Sequence, residues 1–274
     1  MKKVTKAQGI YLLPNLLTTG NLFAGFYAIT AAMTDRFEAA AIAIFAAMIL
    51  DGLDGRVARM THTQSAFGAE YDSLSDMVSF GVAPALIAYE WMLRDLGKLG
   101  WFAAFVYAAA AALRLARFNT QVGKSDKRYF QGLASPAAAA LIAGLVWVGV
   151  DFDINADILR LSVFVITLLA GILMFSNVRY HSFKEFDLKG KVPFLTLVSV
   201  MLAFAVIRLQ PPLVLFTLFL GYAISGPLLT LYALRIRRAE RGKAGKLEPG
   251  ASASNQQADN SPPHEDKDKD KPAS

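Results

Sequence analysis

Apolar residues run through this chain in long stretches broken by short polar turns, and runs such as Val192–Ile207 and Pro211–Ala233 carry no charge at all. A helix that crosses a bilayer needs ~20 largely apolar residues, fewer where its ends are buried in protein. The pattern predicts eight helical spans, at about 13–33, 37–59, 69–93, 99–118, 133–150, 158–176, 192–208 and 211–235. The third carries Asp72 and Asp76 in its first turns, so hydropathy alone would begin it later. The predicted class is an all-α, polytopic transmembrane helical bundle.

Composition supports that class. Of 274 residues 54% are hydrophobic, with a mean hydropathy of +0.38, against ~45–50% apolar in soluble domains. Lys2, Lys3 and Lys6 precede an apolar run that continues past Met33, the pattern of a retained span and not of a cleaved signal. The absence of Cys excludes a disulfide scaffold, thiol catalysis and thiolate metal sites. From about Gly242 the composition turns to Ala, Ser, Pro, Gln, Asp and Lys, so residues 1–240 read as a membrane domain and 241–274 as a disordered cytoplasmic tail holding His264.

The net charge of +6 is explained by where the cations fall. With both termini cytoplasmic and the three tail lysines set aside, 20 Lys and Arg lie on the inner side. Only Arg36, Arg94, Lys98, Arg160 and Arg208 lie outside, where the 151–157 turn adds Asp151, Asp153 and Asp157. Topology accounts for the basic excess first and attraction to anionic membrane lipids second; no nucleic acid is needed as a partner. The expected location is a bacterial cytoplasmic (inner) membrane.

Four acids stand out. Asp51 and Asp54 share one helix face at i,i+3, and Asp72 and Asp76 share another at i,i+4. Two helices joined by a short loop run antiparallel, which brings the pairs to one depth near the cytoplasmic surface. A charge near the centre of a span costs ~2.5–3.5 kcal/mol on insertion scales, so four together need compensating cations. Oxygen-only ligands without Cys suit hard ions, Mg²⁺ or Mn²⁺. Two such ions ~3.5–4 Å apart clamp displacement at phosphorus. Gly55 and Gly68 remove side chains where helices and a phosphate ligand meet, and Arg59 can fork onto phosphate oxygens. A structural ion-pair network with Arg56 and Arg59 is the plainer alternative, and four acids at these spacings weaken it. Glu70 lies off the Asp72/Asp76 face and reads as a surface residue.

The run Asp51-x2-Asp54-Gly55-x2-Ala58-Arg59-x8-Gly68-x3-Asp72-x3-Asp76 resembles, position for position, the signature of the CDP-alcohol phosphatidyltransferase family. That resemblance implies an integral membrane enzyme with two divalent metals that moves a phosphatidyl group from a CDP-linked lipid to an alcohol and releases CMP. It implies Asp51, Asp54, Asp72 and Asp76 as metal ligands and Asp76 as the base for the alcohol proton. Gly55, Ala58, Arg59, Ser65 and Gly68 would lie along the CDP-diacylglycerol, and relatives suggest a homodimer. An alkyl hydroxyl is a poor nucleophile near pH 7, so a carboxylate within reach of its proton is sound chemistry.

The acceptor alcohol must be read elsewhere. Leu13-Pro-Asn15-Leu-Leu-Thr18-Thr-Gly-Asn21, Arg114-Leu-Ala-Arg117-Phe-Asn119, Phe130-Gln-Gly132-Leu-Ala-Ser135-Pro136 and Ser176-Asn-Val-Arg179-Tyr180-His-Ser-Phe-Lys184 resemble the branch of the family that uses L-serine. Ala134 is a departure, at a position where that branch leads one to expect Pro. Serine needs cations for its carboxylate, for which Arg114, Arg117, Arg179 and Lys184 are candidates, and acceptors for its ammonium, for which Asn119 is one. The same residues would also serve as headgroup anchors. Asn15 and Thr18 read either as pocket residues or as caps of the first helix. Transfer to glycerol 3-phosphate or inositol is the alternative within the family. A cation transporter is the alternative outside it, though no internal repeat is visible. His62 and His181 read as solvated loop residues, Trp91, Trp101 and Trp147 as belt anchors, and Ala108–Ala112 and Gly144 as points of close helix packing.

Overall fold

The computed structural model describes residues 6–121, 129–154, 156–181, 201, 205 and 208–244. Helix α1 spans Lys6–Ala32 and α2 spans Phe37–Met60. A helical run then extends through α3 (Ala66–Asp76), a π-helical stretch (Met77–Val82), α4 (Ala83–Ala88), a second π-helical stretch (Tyr89–Leu93) and a 3₁₀ turn (Arg94–Leu96). It is followed by α5 (Lys98–Gln121), α6 (Ser135–Asp151), α7 (Ala156–Phe175) and α8 (Pro211–Ala244). Seven of the eight segments predicted from hydropathy are thus helical; 192–208 lies largely outside the described residues, as do Lys184 and the tail from residue 245.

Local chemistry explains the boundaries. Ser65 is extended and accepts the Gly68 amide at 3.0 Å, capping α3. Pro136 opens α6, where its missing N–H costs nothing. Gly97 ends the long run with φ +57°, a conformation that suits glycine.

The contacts divide into two compact units, Met1–Thr230 and Leu231–Ser274. In the first, α1 packs on α2, α2 on α6, and α5 on α7. Its interior is rich in small side chains, with Ala28, Ala40, Ala103, Ala111, Ala138 and Ala139 fully or nearly fully buried. Backbones therefore approach closely. A Cβ on Gly171 of α7 would stand 3.1 Å from the Tyr107 Cα of α5, and one on Gly144 of α6 would stand 3.0 Å from the Phe216 Cα of α8, the tight packing expected at Gly144. Among the described residues of the second unit are the last turns of α8.

The outer surface is apolar. Phe23, Leu16 and Leu161 are each about two-thirds exposed, joined by Phe26, Phe105, Leu169 and Leu228. A water-soluble monomer rarely shows so much. Among the described residues two helices, Lys98–Thr120 and Pro211–Tyr232, are long and apolar enough to cross a membrane by length and composition. Of the tryptophans, Trp101 is exposed and stacks on Phe105, whereas Trp147 and Trp91 are half-buried, the first 6.1 Å from Phe45 and the second against Gly149.

One feature departs from an all-α chain. Strands β1 (Tyr129–Gln131) and β2 (Arg179–His181) pair antiparallel, with Phe130 opposite Tyr180, tying the segment before α6 to the one after α7. Gly132 leaves this ribbon at φ +78°, where a Cβ would collide with the Met174 carbonyl. Hydropathy does not reveal such a ribbon because three residues are too few to show an alternation.

Candidate active site

The acids meet at the ends of α2 and α3. Asp51, Asp72 and Asp76 each offer a carboxylate oxygen, all within 4.8 Å of one another, a group able to hold a metal ion. Asp51 and Asp76 are within hydrogen-bonding reach of each other. Asp72 Oδ1 is buried with no hydrogen-bond partner, the state of an acceptor arranged for a cation. Hard oxygen donors in this number and proximity fit Mg²⁺ or Mn²⁺.

Asp54, the fourth acid, stands apart from that trio. It is 4% exposed, and its Oδ2 accepts from Thr18 Oγ1 at 2.7 Å. Its charge still acts on Asp51 and Asp72, and Arg59 offsets it. The Arg59 guanidinium lies 3.4 Å from where a Gly55 Cβ would be, an ordinary contact distance.

Helix α1 supplies the polar wall. It begins at Lys6, which places Asn15 and Thr18 well inside the helix and removes the reading of either as its cap. Thr18 reaches Asp54, and Thr19 Oγ1 lies 2.9 Å from the Tyr71 hydroxyl of α3. Asn15 Oδ1 would be 3.5 Å from a Cβ on Gly68, and Ser65 Oγ would be 3.1 Å from it, so Asn15, Ser65 and Gly68 converge. Ala58 is half-buried on α2, next to Arg59 in sequence.

Asn21 is the residue whose part the sequence pattern does not single out. It is fully buried and donates through Nδ2 to Asp76 Oδ1 at 3.1 Å. A signal for it exists: Asn15, Thr18 and Asn21 recur every three residues, a polar stripe on a largely apolar helix.

The serine candidates separate on inspection. Arg114 of α5 is partly buried, donates from Nη1 to Ser135 Oγ at 2.9 Å, and leaves Nε buried without a partner. Asp76 and Tyr222 lie within its electrostatic reach. Asn119, exposed, pairs with Ser73 Oγ at 3.1 Å, next to Asp72 in sequence. Arg117 is engaged elsewhere: it donates to the carbonyls of Phe175 at 3.1 Å and Gln131 at 3.0 Å and lies over the Phe175 ring, joining α5 to the end of α7 and to β1. Arg179 is placed by its backbone in β2. His62 is exposed in the α2–α3 loop with φ 53°, and Glu70 is exposed and not a member of the trio.

Comparison with known proteins agrees with this geometry. A family model described as CDP-alcohol phosphatidyltransferase matches residues 11–230. A Helicobacter pylori protein named CDP-diacylglycerol--serine O-phosphatidyltransferase is 39% identical over 229 residues, covering 82% of this chain and 93% of the relative. Proteins of the same name from Methanocaldococcus jannaschii and Bacillus subtilis are 37% and 33% identical, covering 67% and 63% of this chain and 80% and 92% of the relatives.

Proposed function

Because the chain belongs to the CDP-alcohol phosphatidyltransferase family, we propose that it transfers the phosphatidyl group of CDP-diacylglycerol to the hydroxyl of L-serine, forming phosphatidylserine and CMP. The convergence of Asp51, Asp72 and Asp76, with Asp54 held beside them, carries the reaction type. The names of the relatives supply the acceptor.

Asp51, Asp54, Asp72 and Asp76 would hold two divalent cations, Mg²⁺ or Mn²⁺, which supply charge stabilisation to the diphosphate and the leaving CMP. The rest falls to the chain. Asp76 takes the serine hydroxyl proton as the oxygen forms its bond to the lipid-side phosphorus, and the bond from that phosphorus to the CMP oxygen breaks. Asn15, Thr18, Gly55, Ala58, Arg59, Ser65 and Gly68 would border the donor, with Arg59 able to fork onto its phosphates. Arg114 receives the serine carboxylate, its unpartnered Nε being the donor that awaits one. Asn119 stands at the same end of α5 for the ammonium. Arg117 shapes this end of the site through the carbonyls it already holds, while Arg179 and Lys184 remain candidates from sequence position alone.

The apolar exterior and the distribution of Lys and Arg support a protein of the bacterial cytoplasmic membrane, built of about eight spans, with both termini and the site facing the cytoplasm. The membrane domain would extend to about residue 240. A homodimer follows from the family resemblance.

The test uses purified protein in detergent with CDP-diacylglycerol and Mn²⁺ or Mg²⁺, following CMP release with serine, glycerol 3-phosphate, inositol or no acceptor. Serine-dependent CMP with phosphatidylserine as product is expected. Stimulation by another alcohol would keep the site and overturn the acceptor, and no CMP under any condition would overturn the reaction.

A further inference from the structure

Asn21 is joined to the third helical run at two points. Its side-chain amide donates to Asp76 Oδ1 at 3.1 Å, and its backbone carbonyl accepts from Ser79 Oγ at 2.9 Å. One turn further along α1, a Cβ on Gly25 would collide with Ser79, so the two backbones are as close as glycine allows. Asp76 and Ser79 are three residues apart, and Ser79 lies in the π-helical stretch that starts immediately after Asp76. A wide turn there is a recurrent feature of functional sites. Asn21 itself is fully buried, and its Oδ1 has no hydrogen-bond partner. Leaving an amide oxygen unpaired in the interior costs ~1–3 kcal/mol. The side chain therefore sits where its NH₂ group serves Asp76, at the expense of its other end.

We propose that Asn21 is a positioning residue for Asp76: its amide fixes the carboxylate rotamer by holding Oδ1, so that Oδ2 is presented to the space shared with Asp51 and Asp72. The inference rests on the metal site proposed above but not on serine as acceptor. Isolated amide-to-carboxylate bonds of this kind orient metal ligands, and losing one typically costs ~10–100-fold in metal affinity or activity. A residue that merely fills space would be replaceable by leucine, which has the same branched skeleton, or by alanine, and neither has a donor.

The experiment is a double-mutant cycle read by Mn²⁺ binding, with free Mn²⁺ measured by electron paramagnetic resonance on full-length protein in detergent. The variants are Asn21→Leu, Asn21→Ala, Asp76→Asn and each Asn21 variant combined with Asp76→Asn, with melting followed in parallel. Asn21→Leu and Asn21→Ala are each expected to weaken Mn²⁺ binding by ~10–100-fold in the otherwise unchanged protein and by far less beside Asp76→Asn, because the residue acts through Asp76. Equal losses in both backgrounds, or no loss in either, would overturn the proposal. If Asn21→Leu fails to fold, Asn21→Ala decides on the same criterion. Mn²⁺ binding needs no lipid or alcohol, so absent CMP release from the unchanged protein would count against the proposed transfer and leave this test standing.

Discussion

The helices around the acids and the helices behind them are held by different kinds of contact. Between α1, α2 and α3 the links are polar and bridge distant parts of the chain: Thr18 to Asp54, Thr19 to Tyr71, Asn21 to Asp76, and Ser73 onward to Asn119 of α5. Between α5 and α7, apart from the Arg117 bond to the Phe175 carbonyl at their ends, and between α6 and α8, the links are close approaches at Gly171 and Gly144. Both modes hold helices together in lipid, but they do different work. A glycine contact sets how near two backbones lie, whereas a hydrogen bond to a carboxylate also sets where its oxygens point. The polar set occurs where orientation matters to chemistry.

The sharpest way to break this contrast is to remove the acids themselves. Asp76→Asn is expected to lower serine-dependent CMP release by about 10²–10⁴-fold, the usual share of a general base, with protein still in the membrane fraction. Asp51→Asn should do the same, and full activity in the Asp76 variant would refute its role as base. Stripping divalent ions with a chelator should abolish release, and Mn²⁺ or Mg²⁺, unlike Zn²⁺, should restore it, since the ligands are all oxygens.

Changes behind the site should act on stability in preference to rate. Gly144→Leu or Gly171→Leu pushes a side chain into the facing backbone, for which ~1–3 kcal/mol of destabilisation is expected. Melting in detergent should fall, while turnover of the folded fraction stays near that of the parent. Thr18→Val is the complementary probe: it keeps the shape and removes the donor to Asp54, so activity should drop by ~10–100-fold with little loss of melting temperature. Deleting the residues after Gly242 should do least, leaving CMP release unchanged.

The acids were legible in the sequence because carboxylates in an apolar context are costly and their i,i+3 and i,i+4 spacings fix a shared face. The helices were legible for a similar reason, since apolar runs of span length have few other uses. What hydropathy does not record is how one helix addresses another. Thr18 and Asn21 look alike as polar residues in α1, yet one meets Asp54 and the other Asp76, and only the crossing of α1 with its neighbours decides which. Arg117 shows a second gap: a cation at the end of a span reads as a ligand for serine, and its bonds to the carbonyls of Gln131 and Phe175 appear only in the folded chain. The two π-helical stretches are likewise invisible, because a single extra residue in a turn leaves apolar composition unchanged.

That extra residue governs how this chain tolerates insertion and deletion. Between Asp76 and Ala83 the helix is wound one residue wider per turn than on either side. Removing one residue from Met77–Val82 would let the segment close into ordinary α-helix with the faces on either side kept in register, whereas the same deletion inside α3 would rotate what precedes it by about 100°. A gap of one residue is therefore absorbed between Asp76 and Ala83, while between Asp72 and Asp76 it would turn one carboxylate away from the other.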